Sequence, residues 1–253
     1  MAGSTPLGQN FLVNPGVAER IASLAPPGEE PVLEIGPGKG MLTRRLLERF
    51  PGRALTVVEK DPRLAGRLKE DLGGHLRVVN SDVLTIRMAD LYPRDQVFLF
   101  GNIPYLISTP ILEWVLFQHS AWRGGILMTQ DEFARRLMEG SGPLPAALRT
   151  FFDITSIMRV SPGSFHPAPK VFSRIFTMAP REPGADPREF HGFLKQCFRR
   201  RRRSLRNNLR EHHPAVELDA VIEEVGIPPN ARAEALPDAD LLALFEMLKK
   251  TEG

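Results

Sequence analysis

Short apolar segments alternate with amphipathic segments along residues 1–180, and this alternation is the feature that most constrains the fold. Each apolar segment has the length and composition of a buried strand, and most are followed by a segment with helical periodicity. The predicted strands are residues 32–35, 54–58, 76–79, 97–100 and 125–128, and the predicted helices are residues 41–50, 62–72 and 110–117. Alternating strands and helices predict an α/β fold with a doubly wound parallel sheet and right-handed connections.

Glycine or polar residues stand within three positions of the end of four predicted strands. These residues are Gly36, Glu59, Asp82 and Asn102. Ligands of open α/β sheets bind beyond the carboxyl ends of the strands. We therefore expect these four residues to converge on one crevice, although they are widely spaced in sequence.

A second, smaller domain is predicted after residues 180–187, a segment rich in proline and glycine that indicates a linker. The boundaries are then 1–180 for the α/β domain and 187–253 for a small all-helical domain. One predicted helix of this domain has its apolar stripe formed by Leu194, Phe198, Leu205 and Leu209. Residues 218–225 and 240–248 are predicted to form two further helices.

The composition excludes several classes of protein. The single cysteine, Cys197, cannot form an internal disulfide or a zinc site built from cysteines. The first residues lack the basic and apolar segments of a signal peptide, and no apolar run is long enough to cross a bilayer. We expect a cytoplasmic protein with no membrane partner and no bound metal.

Positive charge is concentrated near the C-terminal end of the chain. The net charge is only +3, yet the segment 191–210 contains no acidic residue. A solvated helix face usually mixes charges of both signs, so a run of arginines without carboxylates favours a polyanionic partner. The residues predicted to contact nucleic-acid phosphates are Arg199, Arg200, Arg201, Arg202, Arg203 and Arg206.

The glycine-rich segment after the first strand predicts a nucleoside-binding loop. Gly36, Gly38 and Gly40 follow Glu34 in the spacing G-x-G-x-G, whereas the dinucleotide fingerprint is G-x-G-x-x-G. A preceding carboxylate disfavours a pyrophosphate and is typical of methyltransferases that bind S-adenosylmethionine, which carries no phosphate. Glu59 is predicted to accept hydrogen bonds from ribose hydroxyls and Asp82 from the adenine amino group, although either carboxylate alone could equally be a helix N-cap or a turn residue.

The loop after the fourth strand reads Asn102, Ile103, Pro104, Tyr105. An asparagine carbonyl can accept a hydrogen bond from an exocyclic amino group, and Tyr105 offers a face for stacking on a base. Pro104 fixes the backbone so that loop carbonyls point in a set direction. The simpler interpretation is a turn, because Asn and Pro are ordinary turn residues.

Taken together, the motifs resemble those of the KsgA-type rRNA adenine N6-dimethyltransferases, and the resemblance extends over nearly the whole chain. The matching segments are residues 8–13, 34–40, 58–61, 80–84, 102–105, 165–171, 200–209 and 232–236. The resemblance implies a Rossmann-like class I methyltransferase fold and S-adenosylmethionine as the cofactor. It implies that the cofactor is bound by Asn10, Leu12, Gly36, Gly38, Glu59, Asp82 and Asn102.

The resemblance also implies the substrate and the catalytic residues. The substrate would be two adjacent adenines near the 3′ end of small-subunit rRNA, each methylated twice in the immature subunit by a monomeric enzyme. Asn102 and a loop carbonyl would accept the N6 hydrogens at the turn fixed by Pro104, and Tyr105 and Phe165 would sandwich the flipped base.

Three alternatives remain open at this point. Ile103, Ile107, Ser108, Thr109 and His166 are closer to the Erm enzymes, sister methyltransferases that modify one adenine of large-subunit rRNA. A non-catalytic rRNA-binding assembly factor could keep the same fold. A nicotinamide-dependent dehydrogenase is the third alternative, and it lacks support from the glycine spacing.

Overall fold

The computed structural model describes residues 10–251. Gly8 and Gln9, the start of the first predicted motif, lie outside the described residues. The strands are β1 (Phe11–Leu12), β2 (Val32–Ile35), β3 (Leu55–Glu59), β4 (Arg77–Asn80), β5 (Val97–Asn102), β6 (Trp122–Gln130), β7 (Phe152–Val160), β8 (Phe165–His166) and β9 (Ser173–Pro180).

Eleven α-helices lie within the described residues. They are α1 (Pro15–Ser23), α2 (Met41–Arg49), α3 (Pro62–Leu72), α4 (Met88–Leu91), α5 (Ser108–Phe117), α6 (Asp131–Glu139), α7 (Pro143–Phe151), α8 (Pro187–Cys197), α9 (Leu205–Leu209), α10 (Ala215–Val225) and α11 (Asp238–Thr251). No helix in residues 10–251 is both long enough and apolar enough to span a membrane.

Seven strands form one mixed sheet in the order β4-β3-β2-β5-β6-β9-β7. The first five strands are parallel, as the alternation of strands and helices predicts. The predicted doubly wound sheet is present, and one strand that was not predicted, β9, pairs antiparallel with β6. Sequence analysis missed β7 and β9. Strands β1 and β8 form a separate antiparallel pair.

Local sequence explains where the helices around the sheet begin. Asp61 caps α3 by accepting a hydrogen bond from the Arg63 amide at 2.9 Å, and Pro62 occupies the first turn, where its missing N–H costs nothing. Asn14 caps α1 in the same way before another proline. Strands β2 and β3 are buried along their whole length, as expected for central strands covered on both faces.

The chain divides into two compact units. The first contains the residues up to Ala134 together with Ile154–Pro180, and the second contains Arg135–Asp153 together with the residues from Arg181 onward. The second unit is therefore larger than the helical domain predicted at 187–253, because it also includes α7. Phe190 explains the difference: its ring contacts Phe151 of α7 at 6.2 Å and Phe245 of α11 at 5.4 Å between centroids.

Arg149 holds together the polar side of the second unit. Its guanidinium forms a two-pronged ion pair with Asp238, at 2.7 and 2.9 Å. Its remaining nitrogen donates to the carbonyls of Leu137 and Gly140 at 2.9 and 2.7 Å. Because the planar fork satisfies four acceptors at once, a lysine at this position could not replace it.

The predicted arginine-bearing helix is interrupted in the structure. Helix α8 ends at Cys197, the residues at 198–204 form turns, and Ser204 caps the short helix α9. Asn208 holds this turn, because its side-chain amide donates to the Cys197 carbonyl at 2.8 Å and to the Arg200 carbonyl at 3.3 Å. The apolar positions that suggested one helical stripe therefore belong to two successive helices.

Candidate active site

A cavity of about 250 Å³ lies in the first unit at the carboxyl ends of the parallel strands. The four strand-end residues predicted to converge all line it, as the topology requires. The cavity also brings together the other predicted cofactor and catalytic residues except Phe165. The predicted residues that line it are Asn10, Leu12, Gly36, Gly38, Glu59, Asp82, Asn102, Pro104 and Tyr105.

The loop between β2 and α2 needs glycine for its backbone conformation and for space. Gly36, Gly38 and Gly40 have φ values of +62°, +57° and +79°, in the left-handed region. A Cβ atom on Gly38 would lie 2.8 Å from the Phe11 ring, which also lines the cavity. The loop backbone can therefore approach both the ring and a ligand closely.

Glu59 fixes this glycine loop with its carboxylate. The side chain is only 2% exposed. One oxygen accepts from the Gly38 amide at 3.1 Å and the other from the Asp61 amide at 2.9 Å. Burial raises the pKa of the carboxyl, and the two amide hydrogen bonds oppose that shift. Each oxygen keeps a further lone pair, so the carboxylate can still accept from a pair of vicinal hydroxyls.

Glu34 is buried in the lining of the cavity, where burial favours the protonated form of its carboxyl. Burial raises the pKa of its carboxyl to about 8, and the negative charge of Glu59 adds to the increase. The Thr43 hydroxyl donates to Glu34 Oε2 at 2.7 Å and partly offsets the shift. The carboxyl therefore adds little negative charge to the site.

Asp82 is half-exposed and pairs with a lysine that sequence analysis did not identify. Lys60 Nζ lies 2.8 Å from Asp82 Oδ2, and this contact lowers the pKa of the carboxyl. The other carboxylate oxygen accepts from the Leu84 amide at 3.0 Å. The N-cap role that was the alternative interpretation is therefore present, and the side chain lines the cavity as well.

The side-chain amide of Asn102 is oriented by a single contact. Its Nδ2 donates to the Asn10 carbonyl at 3.2 Å. A carbonyl can accept only from the NH₂ end of the amide, so Oδ1 is left to accept from another group. The next residue, Ile103, is fully buried, and its amide donates to the Met128 carbonyl at 2.8 Å, which extends the sheet pairing into the loop.

The two aromatic residues predicted to sandwich the base have different positions. Tyr105 lines the cavity, and its hydroxyl is 2.6 Å from the Ser173 hydroxyl. Burial raises the pKa of Tyr105, so the phenol stays neutral. Phe165 is only 4% exposed, packs in the core of the first unit and does not line the cavity. Its partner across the β1–β8 pair is Leu12, which does line the cavity. This position does not support direct contact of Phe165 with a base.

The arginine run has carboxylate partners that lie outside the segment 191–210. Arg199, Arg200 and Arg203 all approach Glu211, whose carboxylate lies 3.7 Å from Arg200 and 3.9 Å from Arg203. Arg201 lies 3.6 Å from Glu234. The arginines are therefore partly compensated by carboxylates that lie outside the segment 191–210.

These carboxylates nevertheless neutralise only part of the positive charge of the arginine run. Arg206 forms a close two-pronged pair with Asp219, which lowers the pKa of that carboxyl. Arg202 has no ion pair among residues 10–251. The six predicted arginines thus share three carboxylates, Glu211, Asp219 and Glu234, which leaves an excess of positive charge on this surface.

Three residues of the site were missed because they act through partners distant in sequence. Lys60 pairs with Asp82, Thr43 holds Glu34, and Ser173 holds Tyr105. Lys60 was the easiest to find, because it follows Glu59 directly at the end of a predicted strand. Nothing in the local pattern distinguishes Thr43 or Ser173 from ordinary polar residues.

The lining of the cavity fits S-adenosylmethionine better than a dinucleotide. Glu59 and Asp82 are acceptors at the ends of adjacent strands, which suits ribose hydroxyls and an adenine amino group. A pyrophosphate would need free amides from the glycine loop. The Gly38 amide already donates to the Glu59 carboxylate. The neutral Glu34 and the apolar Phe11, Ile103 and Ile111 complete a pocket for a ligand without phosphates.

Comparison with known proteins identifies close relatives by sequence. The chain is 38% identical over 252 residues to the Ribosomal RNA small subunit methyltransferase A of Chlorobium limicola, with 96% of this chain and 92% of the relative covered. It is 34% identical over 258 residues to the protein of the same name from Acidobacterium capsulatum, with coverage of 96% and 90%.

Two solved structures share the fold over nearly the whole chain. A dimethyladenosine transferase from Plasmodium falciparum has a TM-score of 0.76 at 25% identity, covering 96% of this chain and 98% of that one. The 23S rRNA methyltransferase ErmE has a TM-score of 0.70 at 31% identity, covering 95% and 100%. The predicted class I methyltransferase fold is confirmed.

A family model described as "Ribosomal RNA adenine dimethylase" matches residues 2–250. That match includes every strand end that lines the cavity and the arginine-rich turn as well. The chain is therefore a member of the ribosomal RNA adenine dimethylase family, whose methyl donor is S-adenosylmethionine.

Proposed function

We propose that this enzyme transfers methyl groups from S-adenosylmethionine to N6 of two adjacent adenines near the 3′ end of small-subunit rRNA. The observation that carries the proposal is the Asn102 amide, which the Asn10 carbonyl orients so that Oδ1 is available in the cavity. A hydrogen-bond acceptor at a fixed strand end suits an exocyclic amine. Glu59 and Asp82, the two carboxylates that would bind the cofactor, line the same cavity.

The protein contributes positioning to this reaction more than acid–base chemistry. When bound, S-adenosylmethionine supplies an electrophilic methyl group on a positively charged sulfonium. The adenine N6 lone pair is delocalised into the ring, so the amine attacks weakly unless its hydrogens are held. Asn102 Oδ1 accepts one N6 hydrogen and directs the lone pair toward the methyl group.

A backbone carbonyl of the loop accepts the other N6 hydrogen, and we assign it to Ile103. The Pro104 carbonyl already accepts from the Ile107 amide at 3.1 Å and from the Ser108 hydroxyl at 3.2 Å. Tyr105 supports one face of the base, with its ring held by Ser173. Each methyl transfer releases one N6 proton, which passes to solvent. After the first methylation a single N6 hydrogen remains, so only one of the two acceptors is used in the second transfer.

The relatives support small-subunit rRNA as the substrate, because the curated relatives reported above bear the name small subunit methyltransferase A. We further propose that the enzyme works as a cytoplasmic monomer on the immature subunit. The positive excess at the 199–206 surface of the second unit would contact rRNA phosphates. Among these arginines, Arg202 is the best placed to do so, since its charge is uncompensated by any residue in 10–251.

The deciding experiment is a methyl-transfer assay with radiolabelled S-adenosylmethionine, followed by mapping of the modified base. The substrates are small ribosomal subunits that lack the dimethylation, and naked large-subunit rRNA. Asn102→Ala should lower kcat by at least about a hundredfold, the order found when one catalytic hydrogen-bonding group is removed, while binding of S-adenosylmethionine survives in part. Asn230→Ala, at an exposed position outside the cavity, is the matched control.

Retention of full activity by Asn102→Ala would refute the assignment of Asn102. It would leave the enzyme class intact but place the acceptor contacts elsewhere in the cavity. Loss of S-adenosylmethionine binding together with activity would instead mean that Asn102 acts chiefly on the cofactor.

A second candidate function is Erm-type methylation of a single adenine in large-subunit rRNA. It is favoured by the similarity to ErmE, which is 31% identical to this chain over 95% of its length. Transfer to naked large-subunit rRNA, with no transfer to small subunits, would support this candidate and overturn the first. The same assay therefore decides between the two substrates.

A further inference from the structure

An exposed aromatic ring lies beside the cavity, outside the machinery described so far. Phe172 is 42% exposed and is the only aromatic residue among the exposed large apolar side chains of residues 10–251. The Arg159 guanidinium lies over its ring, with the central carbon 4.1 Å from the ring centroid. Val171 is exposed as well, so the ring belongs to an apolar patch, and contiguous apolar patches mark binding surfaces.

The Phe172–Arg159 pair is held in place by Asp131. The Asp131 amide donates to the Phe172 carbonyl at 2.9 Å. The Asp131 carboxylate lies 3.1 Å from Arg159 and 2.5 Å from Arg174. Two guanidinium groups share one carboxylate, so the cluster keeps a net charge of +1. The ring and the cation are therefore presented together from a fixed backbone.

The sheet register puts this pair at the same edge as the catalytic loop. Asn102 at the end of β5 pairs with Met128 of β6, and Gln130 of β6 pairs with Ser173 at the start of β9. Ser173 directly follows Phe172 and holds the Tyr105 hydroxyl at 2.6 Å. One hydrogen bond thus connects the cavity to the residue next to the exposed ring.

The rim of the cavity on this side is open and apolar. Leu106, which follows Tyr105, lines the cavity and is 81% exposed. Val171, which precedes Phe172, is also exposed. The nucleotides next to a base placed in the cavity stay outside it, where the exposed Leu106 and Phe172 are accessible to them.

We infer that the Phe172–Arg159 pair stacks an unpaired base that flanks the target adenine. This inference rests on the proposed function. Single-stranded RNA bases stack on aromatic rings and guanidinium planes, and removing such a platform weakens binding without changing the chemical step. The positive charge of the cluster favours a nucleotide over an apolar protein segment. The pair would set the register of the RNA so that one of the two adjacent adenines at a time enters the cavity.

Substitutions at Phe172 separate stacking from simple apolar packing. Phe172→Ala and Phe172→Leu should each raise KM for undermethylated small subunits by about tenfold, whereas Phe172→Trp should stay within about twofold of wild type. The value of kcat and the Kd for S-adenosylmethionine should not change in any of them. Val216→Ala removes an apolar side chain that is 83% exposed at a position outside the cavity, and it should behave as wild type.

A photocrosslink identifies what the platform contacts. A benzophenone amino acid at position 172 should crosslink to a nucleotide that directly flanks the pair of methylated adenines. Crosslinking to a ribosomal protein, or wild-type kinetics for Phe172→Leu, would overturn the inference. These failures differ from failure of the proposed function, in which the wild-type enzyme itself would transfer no methyl groups to small subunits.

Discussion

The buried carboxyl of Glu34 predicts an unusual dependence of stability on pH. Burial raises its pKa from 4.5 to about 8 in the folded protein. Between these two values the folded state keeps a proton that the unfolded chain has lost. The free energy of unfolding should therefore fall as the pH rises through this window, by up to about 1.4 kcal/mol for each pH unit.

Glu34→Gln removes this dependence while keeping the shape and the hydrogen bond of the side chain. A glutamine carbonyl can accept from Thr43, as Glu34 Oε2 does at 2.7 Å. Because the glutamine never has to ionise, the stability of the variant relative to wild type should increase with pH. Between pH 5.5 and 7.5 the free energy of unfolding of Glu34→Gln, measured relative to wild type, should increase by up to about 2.7 kcal/mol. This is the linkage slope multiplied by two pH units.

Urea denaturation of both proteins without ligand at four pH values from 5.5 to 8.5 measures this difference. Glu70→Gln, at an exposed position of α3 in the same unit, is the control and should give a profile parallel to wild type. Parallel profiles for Glu34→Gln and wild type would refute the reasoning. They would mean that the carboxyl is ionised in the folded protein at neutral pH, so that the site is more negative than described above.

Three further predictions concern the cavity loop, the basic surface and the second unit. Gly38→Ala should weaken S-adenosylmethionine binding measured by calorimetry, since the new Cβ would meet the Phe11 ring at 2.8 Å. Gly52→Ala, which also has positive φ but no atom within 4 Å of the Cβ, should cost only stability, about 1–2 kcal/mol. Arg202→Gln should reduce the salt dependence of rRNA binding by about one counterion, whereas Arg206→Gln should chiefly lower the melting temperature by removing its ion pair. Arg149→Lys should destabilise the protein by about 2 kcal/mol in urea denaturation, because lysine cannot form the two-pronged pair.

Local sequence patterns predicted the parallel strands and the residues at their ends. The convergence of Gly36, Glu59, Asp82 and Asn102 followed from topology alone, because parallel strands place their carboxyl ends at one edge. Strand β9 was missed because its antiparallel pairing with β6 depends on residues far apart in the chain.

The arginine run illustrates the same limit for charge. Within the segment 191–210 the arginines have no acidic neighbours in sequence, yet the folded chain brings Glu211, Asp219 and Glu234 to them. The prediction that residues 194–209 form a single helix was wrong for a related reason. The apolar positions of α8 and α9 keep a helical spacing across a turn that Asn208 stabilises from a distance.

The second unit is assembled from two separate stretches of chain, and this has a consequence for synthesis on the ribosome. Helix α7 is translated before β8 and β9, and long before α8 and α11. Phe190 of α8 packs on Phe151, and Phe245 of α11 packs on Phe190. The nascent chain must therefore carry an apolar helix without its partners until α8 and α11 are made. A truncated product that stops at the linker would keep that helix permanently unpaired, so premature termination should yield a protein that is prone to aggregation and not a working half.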